Sequence, residues 1–185
     1  MKNETLWSHS MKTQRKQKDE FFSNHHQSPI SEEDQLKFTG LDYYDPNTKY
    51  RFELMLNEYS DHKPIQLNDS KGNIRNMLIW GEFNFDIEGE NYTLQAYKTD
   101  AKENRLFVPF KDLTNGKETY GAGKYLDLYY EEDLTPGEKW ILDFNKSTNP
   151  WCAYSENYAC PLVPPANWLK IEIKAGEKAY PLSLH

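Results

Sequence analysis

Leu78-Ile79-Trp80-Gly81-Glu82-Phe83-Asn84-Phe85-Asp86-Ile87, then Glu88-Gly89-Glu90, then Asn91-Tyr92-Thr93-Leu94-Gln95-Ala96-Tyr97 is the stretch that decides the fold. Apolar and polar residues alternate along both arms, the two-residue period of a strand that buries one face. The Glu-Gly-Glu break between them supplies a tight turn, so the pair reads as a β-hairpin. Outward from it, the same reading covers residues 50–56 upstream. Downstream it covers 105–110, 117–120, 124–130, 139–145 and 168–174. Short strands separated by turn residues predict a mostly β domain, an antiparallel β-sandwich or a partly closed β-barrel.

Ahead of the strands, residues 4–23 read as one α-helix packed against that sheet. Trp7, Met11, Lys18 and Phe22 recur at spacings of four, seven and four, which keeps them on one stripe. Lys18 falls near the middle of the stripe and Arg15 at its margin. Either Lys18 snorkels past the core, or it meets a carboxylate or an anionic ligand inside. An unpaired buried ammonium costs several kcal/mol, so the second reading demands a partner. A polar linker containing Ser28-Pro29 joins the helix to the rest. The 185 residues are expected to form a single domain, a helix at 4–23 and a β domain at 38–185.

Only 37% of the residues are hydrophobic but 15% are aromatic, so the core must lean on Phe, Tyr and Trp. A formal net charge of -7 opposes the phosphate neutralisation that nucleic-acid binding runs on, and opposes anionic membranes too. Neither nucleic acid nor membrane is an expected partner. No apolar run is long enough to span a bilayer, and the first residues lack the apolar core of a signal peptide, so the expected location is cytoplasmic. Composition sets no oligomeric state.

Cys152 and Cys160 lack the Cys-x-x-Cys spacing of a zinc or redox motif. Two reduced thiols, a disulfide, and a metal or chemical role all stay open. His9, His25, His26, His62 and His185 sit in no recognisable ligand pattern, so no metal and no cofactor is expected.

The candidate site lies in the loop from Asp143 to Cys160, which packs Asp143, Asn145, Asn149, Cys152 and Tyr154 with more polar and aromatic groups than a plain turn needs. Gly121-Ala122-Gly123 reads as a hairpin turn, not a phosphate loop, since no Lys-Ser or Lys-Thr pair follows. A hairpin there places Glu118 and Tyr120 on one arm, Tyr125 and Asp127 on the other. If both polar faces point into one cleft, Glu118, Asp127 and Asp143 converge near Cys152 and Tyr154. Three outcomes remain: these faces meet water, they form a buried network tied to the helix through Arg15 or Lys18, or they line a pocket.

The working function is binding of a small polar or anionic ligand in a pocket between that hairpin and the loop, with charge from Arg15, Lys18 or Lys124. Tyr120, Asp143, Asn145, Asn149, Cys152 and Tyr154 complete the expected binding set. The alternatives are a hydrolase using Glu118, Asp127 or Asp143 as acid-base groups, and a structural or protein-interaction domain. Catalysis is permitted rather than indicated, because no histidine lies near Cys152 and no Gly-x-Ser-x-Gly elbow is present.

Several segments occur in a shared order: Arg15-Lys16-Gln17-Lys18-Asp19-Glu20-Phe21-Phe22, Phe38-Thr39-Gly40-Leu41-Asp42-Tyr43-Tyr44, Leu106-Phe107-Val108-Pro109-Phe110-Lys111-Asp112, Leu142-Asp143-Phe144-Asn145 and Cys152-Ala153-Tyr154-Ser155. With Gly121-Ala122-Gly123-Lys124-Tyr125-Leu126-Asp127-Leu128 they resemble the prokaryotic domain-of-unknown-function family 1684 over nearly the whole chain. The resemblance implies no activity or ligand that can be carried over. Lys124 stands where that family's pattern has Arg, Ser147-Thr148 replaces an Ala-Tyr pair, and Val163 is inserted in a Cys-Pro-Leu-Pro-Pro run.

Overall fold

The computed structural model describes residues 2–180; His185 and the outermost residues of the expected domain lie outside the described residues. Its centre is the expected hairpin, β4 (Ile74–Ile87) and β5 (Glu90–Lys98). Ile87 pairs with Glu90 across the turn. Glu88 at φ 59 and Gly89 at φ 86 are both left-handed, which is the two-residue turn whose twist matches that of the flanking strands. Phe83, Phe85, Ile87, Leu94 and Ala96 point to one buried face. Each large apolar side chain taken out of water there contributes about 1.5–3 kcal/mol.

The alternation is interrupted at Trp80. Ile79 pairs with Tyr97 and Gly81 with Ala96, so Trp80 is an extra residue. This β-bulge switches which parity of β4 faces the core. Leu78 and Trp80 join the main core on one side of it, whereas Met77 and Ile79 join Leu67, Tyr97 and Phe107 on the opposite face.

Around the hairpin, β2 (Asn57–Glu58) and β3 (Pro64–Asn68) pair with β4, and β6 (Arg105–Phe110) and β7 (Lys124–Tyr129) extend the sheet beyond β5. Every strand pair in it is antiparallel. A second, two-stranded layer pairs β1 (Arg51–Met55) with β8 (Lys139–Asp143), aligning Phe52 with Leu142 and Leu54 with Trp140. These side chains and Phe144 close the core over the large sheet. The result is mostly β and sandwich-like, with no closed barrel among the described residues.

Two expected strands do not form. Residues 117–120 belong to a looped connection in which Thr114 O accepts from the amides of Lys117, Glu118 and Thr119. Asp112, Thr114, Asn115 and Thr119 bond one another and the local backbone, the local competition that draws such residues away from a ladder. The hairpin from Glu118 to Asp127 is therefore absent, and Gly121-Ala122-Gly123 only turns this loop into β7. Residues 168–174 alternate because Leu169 and Ile173 are buried in the core, not because they pair as a strand. Their backbone bonds run to Lys111 and Leu113 and to the Asp112 side chain.

The long helix α1 (Lys2–Asn24) buries Met11 and Phe22 and leaves most of its other residues at the surface. Short helices α2 (Glu32–Gln35) and α3 (Tyr130–Asp133) follow the linker and β7. Phe22 packs with Ile30, Tyr154 and Tyr180, so the helix end is pinned by rings from the last third of the chain. Among the described residues no helix is long and apolar enough to cross a membrane.

Candidate functional site

The stripe on α1 meets a polar wall. Trp7 Nε1 donates to Asp143 Oδ2 at 2.9 Å, and Lys18 Nζ donates to Glu177 Oε2 at 2.7 Å. Lys18 thus meets a carboxylate inside rather than snorkelling past the core. Glu177 is fully buried, and its other donors come from the loop singled out by sequence. Asn149 donates through its amide N at 3.3 Å and through Nδ2 at 3.1 Å, and the Tyr154 hydroxyl donates to Oε1. Burial beside this carboxylate pushes the Tyr154 phenol well up, so it stays a donor.

Gly176 makes this geometry accessible. It adopts φ 78, and a Cβ there would stand 2.7 Å from Ser147 O and 2.8 Å from Phe144 O. Only glycine lets the C-terminal segment lie this close to the loop while turning Glu177 inward.

Next to the network lies a cavity of about 270 Å³. Arg15 and Lys18 of α1, Tyr125 and Asp127 of β7, and residues 145–148 line it, with Tyr43 and Asp133. The Arg15 guanidinium stacks over the Tyr43 ring at 4.5 Å and donates to Tyr44 O at 2.7 Å and Asn145 O at 3.3 Å. Its acidic neighbours Asp143, Asp45 and Glu177 act only through space, and burial pushes its pKa down against their pull. Arg15 Nε and the Tyr43 hydroxyl are buried with no hydrogen-bond partner among the described residues. Two acidic groups of the lining are paired, Asp133 with Lys146 at 2.7 Å and Asp127 with Arg105 at 2.7 Å, and Glu132 adds a third carboxylate.

The three candidate carboxylates do not converge. Glu118 takes a hydrogen bond from the Tyr44 hydroxyl and faces Lys174 at 3.5 Å. Asp127 belongs to the cavity. Asp143 is buried, accepting from Trp7 and from both the amide N and Nδ2 of Asn145. Asn145 in turn exchanges bonds with the backbone of Asn47 at 2.9 Å, closing this wall. Lys124 is fully buried and pairs with Asp112 at 3.0 Å while donating to Ile173 O, so it ties the C-terminal segment into the core and is not offered to a ligand. Asn149 and Tyr154 serve Glu177, and Tyr120 and Cys152 contact each other away from the cavity lining.

Sequence reasoning missed Tyr43, Lys146, Asp133 and Glu177. Glu177 sits in Lys174-Ala-Gly-Glu-Lys178, which reads as a solvated tail; the adjoining glycine is its one visible signal.

Fold and site together define a sandwich-like β domain whose N-terminal helix is clasped through an ion pair to a buried carboxylate, beside a small cavity of mixed charge that Arg15 lines. The chain belongs to a family described as a protein of unknown function, DUF1684, whose sequence profile matches residues 36–178. It is also similar to an uncharacterized protein of Haloarcula marismortui solved by solution NMR, at 38% identity and a TM-score of 0.73, covering 96% of this chain and 97% of that one. No curated protein matches the sequence.

Proposed function

We propose that this protein binds a small anionic ligand in the cavity beside α1, with Arg15 as its anchor. The observation that carries the reading is the state of Arg15: a cavity-lining guanidinium held by carbonyls and a ring, with Nε unmatched. A planar fork with spare donors suits a carboxylate or phosphate group. The cavity falls below the roughly 300–1,000 Å³ typical of drug-sized ligands, which points to a compact metabolite. A cytoplasmic setting is part of the same reading, and the two free cysteines suit it.

Thermal melts against a panel of inorganic phosphate, small dicarboxylates and nucleoside monophosphates test this. At least one anion is expected to raise the melting temperature of the wild type and not of Arg15→Met. Arg15→Lys, which keeps the charge without the fork, is expected to bind weakly. If no anion shifts the wild type, or if Arg15→Met binds as well, the reading fails.

The hydrolase alternative now rests on Asp127 alone. Burial raises its carboxyl pKa despite Arg105, as a general acid requires, and it lines the same cavity. Glu118 and Asp143 are outside that lining.

A further inference from the structure

The cysteine pair lies outside the cavity and has its own geometry. Cys152 sits in the single turn Trp151–Ala153 and is half-buried, while Cys160 is buried. The Cys152 amide donates to Cys160 Sγ at 3.3 Å, so the second sulfur lies against the first residue. Cys160 is clamped from both sides by the turn after β3: its carbonyl accepts from Ser70 N at 2.9 Å and its amide donates to Ser70 Oγ at 3.2 Å. The Tyr120 hydroxyl stands 3.8 Å from Cys152 Sγ. Both thiols are free.

We propose that Cys152 and Cys160 form a hydroperoxide-responsive dithiol, with Cys152 the attacking sulfur and Cys160 the resolving one. The Cys152 thiolate attacks the distal oxygen of the hydroperoxide; an S–O bond forms, the O–O bond breaks, and the alcohol or water leaves after taking a proton. The Cys160 sulfur then attacks the resulting sulfenic acid. An S–S bond forms, the S–O bond breaks, and the Cys160 proton leaves with the hydroxyl as water. Two thiols and one hydroperoxide become one disulfide, one alcohol and one water.

The surroundings divide the roles. Hydrogen bonding from Cys160, and then from Tyr120 and Ser70, outweighs burial and holds the Cys152 thiol down at about 6. The same thiol contact and burial push Cys160 up. Burial and the adjacent sulfur push the Tyr120 phenol up to about 12, so at neutral pH it remains a donor to the thiolate. The tyrosine next to Cys152 therefore stabilises the charged sulfur without competing for its proton.

The test is oxidation of the folded wild-type protein with stoichiometric hydrogen peroxide, followed by alkylation and intact-mass and peptide analysis. The expected product is an intramolecular Cys152–Cys160 disulfide, seen as loss of two hydrogens and of both alkylation sites, and reversed by dithiothreitol. Peroxide consumption by the reduced protein, which follows the Cys152 thiolate, is expected to level off above about pH 7, whereas an ordinary thiol with pKa near 8.5 keeps accelerating. Cys160→Ser should accumulate a sulfenic acid at Cys152 that dimedone traps, and Cys152→Ser should leave Cys160 unreacted. Two alkylatable thiols after peroxide treatment would overturn the proposal. So would a disulfide joining two chains, or attack at Cys160 in Cys152→Ser.

Discussion

A carboxylate removed from water costs several kcal/mol unless its oxygens are matched, and Glu177 is matched by Lys18, Asn149 and Tyr154. Glu177→Gln keeps the shape, deletes the charge and leaves Lys18 without its counter-ion. The expected loss is about 2 kcal/mol, a fall of roughly 4–8 °C in melting temperature for a domain of this size. Lys18→Met should cost more, because it leaves the fully buried Glu177 carboxylate without a counter-ion, whereas the Lys18 side chain, 24% exposed, can still reach water in Glu177→Gln. A Glu177→Gln protein melting at the wild-type temperature would sink this account. Half of the pair was legible in sequence: a lysine centred on an apolar stripe demands a partner. The partner itself was not, because what turns Glu177 inward is the backbone of Gly176 against Ser147, a contact between distant segments.

At the scale of elements, the hairpin of β4 and β5 followed directly from its two-residue period, and its turn from Glu88-Gly89. The bulge did not, since Trp80 is a good strand residue and only the partner strand reveals that it is surplus. Gly81 beside it is a close-approach position: a Cβ there would lie 2.6 Å from Asn57 O and 2.9 Å from Glu58 Cα. Gly81→Ala must push β2 off β4, at an expected cost of about 1–3 kcal/mol, with amide exchange accelerating at Tyr59, which donates to Trp80 O. Unchanged stability and exchange would show that the close approach at Gly81 does not constrain the pairing of β2 with β4. The residues from 117 to 120 and from 168 to 174 misled for one shared reason. Alternation does not report a partner strand: the amides of Lys117, Glu118 and Thr119 fold back on Thr114 O, and residues 168–174 bond the 111–113 segment without forming a ladder. Asn167, fully buried, brackets Gln95 N and O and also reaches Pro109 O, bridging β5 and β6 where they part.

For the molecule as a whole, acid sensitivity follows from Asp69. Burial alone would raise its carboxyl, but donors from Asn73, Lys71 and Arg75 hold it down at about 2. Its bonds close the turn that joins β3 to β4 and supports the segment at Pro161. A depressed carboxylate stabilises the fold above its unfolded pKa near 4, and that contribution is lost as pH falls towards about 2. Asp69→Asn should therefore melt below the wild type at pH 6, with the gap closing by pH 2 in thermal melts. A gap that stays constant would assign its effect to shape alone. The same scale gives the clasp of Lys18 and Glu177 another meaning. These residues are 159 positions apart, so α1 is synthesised well before the carboxylate that receives it. On the ribosome the helix emerges with its apolar stripe bare while the sheet assembles behind it. Docking of the helix cannot be completed until Glu177 has been made, so a chain cut short before it holds α1 without the carboxylate that receives Lys18.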